Sequence, residues 1–212
     1  MRALQYLAIL MIAIVTFPAT AKVAHHRGVL AAAADRVDVD YISLLTVAHF
    51  ESRGDAKAQN KRSSAGGLMG FTDRTWRAYI KRHGKQYGFD HRTSKYNPRA
   101  NALMAAHYMK DNERVLRKVL KRQPVPGELY MAHLLGLGGA IKVFKAPGHR
   151  TAAYLLPTSA KGNKRYFYQN DGRGKPRTVQ QFRDYMNWRF TSIGEQYAKQ
   201  FDIGEDLMVA RL

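Results

Sequence analysis

The chain has 212 residues, no cysteine, and 35 Lys plus Arg against 16 Asp plus Glu, a formal charge of +19. That length suits one domain with a small appendage, and 45% apolar residues exclude a wholly disordered chain. The lack of Cys excludes disulfide staples, thiolate metal sites, iron–sulfur clusters, a cysteine nucleophile and lipid attachment through Cys. The charge predicts an anionic partner: nucleic acid, an acidic membrane surface or an acidic polymer.

At the N-terminus, Arg2 precedes an apolar run from Ala3 to Phe17, interrupted by Gln5 and Thr16. Pro18-Ala19-Thr20-Ala21 follows, with small residues at Ala19 and Ala21. A positive start, a short apolar stretch and an A-x-A ending describe a secretory signal peptide over residues 1–21. The run is short of the roughly 20 apolar residues of a membrane span. An uncleaved inner-membrane anchor is the alternative. Export argues against a nucleic-acid partner and, with no Cys, points to a bacterial envelope protein in the periplasm.

Residues 22–37 are Ala-rich and basic and suggest a loose lead-in. Asp40 then caps a helix carrying Tyr41, Ile42, Leu44, Leu45, Val47, Ala48 and Phe50, stopped at Gly54. Asn60 to Gly70 is a polar loop. Thr72 caps a helix reaching His83, and Asn97-Pro98 opens another through Leu103, Met104, Tyr108 and Met109 towards Leu120. Pro124 and Pro126 break the chain. Short helices are predicted from Glu128 to Leu135, Ala140 to Phe144 and Thr151 to Leu156. Residues 161–177 suggest a basic loop, with a possible strand only at Tyr166–Tyr168. Thr178 to Phe190 is helical, and residues 191–212 form a more acidic tail. The expected class is all-α: one domain of many short helices over residues 38–190.

The chain holds five glutamates: Glu51, Glu113, Glu128, Glu195 and Glu205. Four fall in settings that suggest solvent. Glu51 ends the apolar 41–50 helix, where burial and the negative helix end both favour its neutral form. A carboxylic acid kept protonated near neutral pH can act as a general acid. The plain alternative is an exposed helix-end glutamate. Asp55 lies beyond Gly54 in a polar turn, and the histidines show no zinc spacing, so no metal or other cofactor is expected.

After Glu51-Ser52 come Ser63-Ser64-Ala65-Gly66-Gly67-Leu68-Met69-Gly70-Phe71 and Thr75-Trp76. Asn101-Ala102-Leu103-Met104-Ala105-Ala106 and Ala132-His133-Leu134-Leu135-Gly136-Leu137-Gly138-Gly139-Ala140 follow. Pro157, Ala160, Asn163, Phe167 and Thr178-Val179 complete the order. This series resembles the lysozyme-like lytic transglycosylases with a soluble lytic transglycosylase domain. The resemblance implies an α-rich fold with a sugar-binding cleft, and peptidoglycan as the substrate. It implies Glu51 as the single catalytic acid and base, cleaving between N-acetylmuramic acid and N-acetylglucosamine to leave a 1,6-anhydro sugar. It implies substrate-binding roles for Ser52, Ser64, Gly67, Leu68, Met69, Phe71 and His133.

The chain departs from the family at Gly70, where Gln is usual, and at His133, where many members carry Tyr. Met69 and His133 each also fit plain packing. A degenerate peptidoglycan-binding module and a hydrolytic muramidase are the alternative functions. A monomer is expected; contact with the membrane surface and service to an envelope assembly stay open.

Overall fold

The computed structural model describes residues 18–203 apart from residue 62. It opens with two helices, α1 (Pro18–His25) and α2 (Arg27–Val37), where the composition suggests a loose lead-in. Val23, Leu30, Ala33 and Ala34 are buried, so this segment is part of the core. Small side chains let α2 lie close against its neighbours, a contact that composition does not announce. Residues 1–17 of the expected leader lie outside the described residues.

Asp40 caps α3 (Tyr41–Ser52), its carboxylate accepting the Ser43 N–H at 2.7 Å. Ile42 to Ala48 are all buried, so α3 is enclosed on every side and forms the axis of the fold. Thr72 and Asn97 cap α4 (Asp73–His83) and α5 (Pro98–Leu120), as their sequence positions predict. α6 (Pro126–Lys145) is two helical pieces joined across a kink, in line with the two short helices expected from the sequence. Its break sits at Gly136, whose φ of 69° and ψ of 155° suit a residue without a side chain.

The 157–177 region is not an open loop. It holds three short helical turns, α8 (Pro157–Gly162), α9 (Lys164–Phe167) and α10 (Gln169–Gly172), following α7 (Ala152–Leu155). Tyr166 and Phe167 are helical rather than in a strand, and Tyr168 makes only an isolated bridge to Pro176. The Arg177 side chain ties the segment together by donating to the carbonyls of Arg165, Tyr166 and Tyr168.

α11 (Val179–Gln200) continues ten residues past the expected end at Phe190. Tyr197 is fully buried and its hydroxyl meets His49 Nδ1 at 3.0 Å, which anchors the extension. α11 lies across α3 and α6, while α2 packs on α3 and α5. The class is all-α, and among the described residues no helix is long and apolar enough to cross a membrane.

Glu128 corrects one expectation. It is 6% exposed, not solvated. At the third position of α6 it accepts the Val125 N–H at 2.9 Å and both Arg122 nitrogens at 2.7 and 2.8 Å. Its charge serves a cap and an ion pair.

If α2 belongs to the core, Leu30→Ala lowers unfolding stability by about 2–5 kcal/mol, the cost of an emptied buried leucine site. Urea denaturation measures this, and a loss below the surface range would return α2 to a loose lead-in.

Candidate active site

α3 ends in a left-handed residue, Arg53 at φ 53°, so the chain turns away just after Glu51-Ser52. That end is clasped from outside. Ser52 Oγ donates to the Leu68 carbonyl at 2.7 Å, lies 3.1 Å from the Ala48 carbonyl and accepts the Gly54 N–H. Buried Asn101 on α5 holds the same loop. Its Oδ1 accepts the Met69 N–H at 2.8 Å, and its amide donates to the Lys95 carbonyl at 2.6 Å. The 67–70 segment is thereby fixed against the end of α3.

Glu51 lies in the pocket so formed, with its side chain 19% exposed. Oε1 is 3.7 Å from His133 Nε2. The Tyr130 hydroxyl lies near both the carboxyl and Tyr166, close enough to favour the charged form of Glu51. Oε2 faces Gly70: a Cβ there would stand 2.5 Å from it. Burial pushes the Glu51 carboxyl above its usual range; His133 and the Tyr130 hydroxyl pull partly the other way. Asp55 accepts the Lys57 N–H at 2.8 Å in an exposed turn. Among the described residues, the ion-pair partner of Glu51 is His133, and no three His, Asp or Glu side chains are grouped as metal ligands.

His133 is 14% exposed on the α6 face beside Glu51. Tyr108 approaches its ring edge-on at 5.6 Å, and Tyr130 lies nearly parallel at 6.3 Å. Tyr130 in turn stacks on Phe50 and Phe190. The acid therefore sits on an aromatic floor that is apolar below and carries hydroxyl and imidazole groups above.

The other expected site residues divide. Ser52 touches the site as a clasp. Gly67, Leu68 and Met69 are buried, and Met69 belongs to the core rather than to an open surface. Phe71 is buried against Trp76, Tyr79 and Tyr108. Ser64 is exposed and accepts the Asp73 N–H at 3.2 Å, capping α4 away from Glu51. Tyr130 and Asn101 have site roles that residue-level reasoning misses. Tyr130 precedes His133 by three residues and so shares its helix face, the one signal available beforehand.

Gly70 has φ +67°, which L side chains rarely adopt. Gly70→Ala is expected to displace the Glu51 carboxyl and lower turnover about 100-fold, the order a 1 Å misplacement can cost. Glycan-strand degradation assays compare the two proteins; unchanged turnover would show that the pocket yields without cost.

A family model described as "Transglycosylase SLT domain" matches residues 28–152, a span running from α2 through the Glu51 pocket to the start of α7.

Proposed function

Because the chain belongs to the transglycosylase SLT domain family, whose members act on peptidoglycan, we propose that it cleaves the glycosidic bond between N-acetylmuramic acid and N-acetylglucosamine without water. The observation that carries this reading is Glu51 itself. It is a carboxyl whose neutral form burial favours, with one oxygen turned to Gly70 and, among the described residues, an imidazole rather than a carboxylate as its ion-pair partner.

The steps follow from that protonation state. Neutral Glu51 donates its proton to the glycosidic oxygen as the bond to the muramyl anomeric carbon breaks. Positive charge develops at that carbon. The Glu51 carboxylate, now beside the His133 imidazole, then accepts the proton of the muramyl C6 hydroxyl. The C6 oxygen closes on the anomeric carbon, giving a 1,6-anhydro sugar and restoring the acid. One group serves both steps, so the second carboxylate of ordinary glycosidases is not needed. The Tyr130 hydroxyl stabilises the carboxylate between the steps. The reading places the protein in the periplasm after export, where its substrate lies.

Glu51→Gln is expected to abolish muropeptide release from purified sacculi, and wild-type products are expected to carry anhydro ends by mass spectrometry. Products with hydrated reducing ends would make the enzyme a muramidase. Sacculus binding without any release by the wild type would make it a binding module.

The His133 contact sets a pH prediction. Glu51 must hold its proton to act as acid, so activity falls as pH rises through its ionisation. A protonated imidazole at 3.7 Å favours the carboxylate and lowers that point. His133→Gln should therefore move the alkaline limb of the pH–rate profile upward. A limb that stays in place would remove His133 from the proton balance.

A further inference from the structure

Trp188 is 61% exposed, on the side of α11 opposite the buried stripe of Phe182, Met186 and Phe190. A large aromatic ring in that position contributes nothing to the core. It does not stand alone. Tyr185, one turn earlier, lies 5.8 Å away at a 39° tilt. Arg177 stacks over the Tyr185 ring with its guanidinium carbon 3.8 Å from the centroid. The same guanidinium is bonded to the backbone carbonyls of the segment leading into α11. The ring pair is thus joined through Arg177 to a fixed basic segment.

That segment carries Lys164, Arg165, Arg173 and Lys175. All four are exposed, and none forms an ion pair among the described residues. The pairing of Tyr168 with Pro176 and of Gln169 with Lys175 folds the segment back on itself. The four cations therefore lie on one short folded stretch of chain, which Arg177 ties to the Tyr185 ring.

We propose that Tyr185, Trp188 and these bases form a second surface, apart from the Glu51 pocket, that holds an anionic peptidoglycan strand. The proposal rests on the peptidoglycan reading given above. Flat aromatic faces stack on the C–H faces of sugar rings, and the cations meet the carboxylates of muramyl groups and stem peptides. The groups beside Trp188 favour a glycan over a lipid. Exposed Asp184 and Thr191 lie about one helical turn to either side, and both offer hydrogen bonds to sugar hydroxyls. A surface of this kind keeps the enzyme on its polymer between cleavage events.

The test uses the full protein with Glu51→Gln, which separates binding from turnover, and pelleting with purified sacculi. Adding Trp188→Ala, or Lys164→Glu with Arg165→Glu, is expected to raise the sacculus Kd about tenfold, the scale of one lost stacking contact. Trp188→Tyr keeps a ring and should retain most of the affinity, which excludes a folding defect as the cause. In the active background, turnover of a soluble glycan fragment too short to reach both surfaces should be unchanged by Trp188→Ala. Parent-like affinity of the Trp188→Ala protein for sacculi overturns the proposal. So does loss of pelleting with phosphatidylglycerol–phosphatidylcholine vesicles while sacculus affinity is kept, which would make the surface a membrane contact. Failure of the catalytic reading shows elsewhere, in the absence of anhydro products from the wild type.

Discussion

The last turn of a helix leaves its carbonyls without intrahelical partners, and a buried end needs something to close over it. Here the closure is a loop held by two side chains, Ser52 from within α3 and Asn101 from α5. Asn101 is fully buried and spends both ends of its amide on backbone groups, so the loop has little freedom to shift. Everything distinctive about the pocket depends on that fixation. It sets Gly70 against one oxygen of Glu51 and leaves the other to His133. If the clasp loosened, Glu51 would become an ordinary solvated glutamate with an ordinary acidity.

The helix starts were legible because a cap is a local event. Asp40, Thr72, Asn97 and Thr178 each bond a backbone N–H three residues on, and that spacing is visible in the chain. α2 was not legible. His26 precedes it without a side-chain cap, and its alanines give only a weak apolar stripe. The end of α11 was hidden for a related reason. Gly194 is a point of close contact with Ile42, where a side chain would crowd α3. Glu51 stood out because it ends an apolar run, a one-dimensional fact. Tyr130 approaches it from α6 and Asn101 on α5 holds the loop beside it, and only the tertiary fold brings them there.

The surplus of cations shapes the rest of the electrostatics. Asp111 serves Arg82 and Arg114, Glu113 pairs with Arg117, Glu128 with Arg122, and Asp73 with Lys95. The more exposed of these, Arg82 and Arg114 on Asp111, contribute little to stability. Glu51 differs in having an imidazole for a neighbour rather than a permanent cation, so its charge is conditional where the others' is fixed.

Burial of Glu51 also ties folding to the same proton. Its acidity is weakened by folding, so the unfolded chain releases the proton at lower pH than the native one. The contribution is fully present below the unfolded value and drains away as pH rises through the native one. Resistance to heat or urea in that interval becomes a gauge of the carboxyl's ionisation, readable with no sugar in the tube. The pocket is thus a place where the molecule gives up robustness on the alkaline side in exchange for a usable acid.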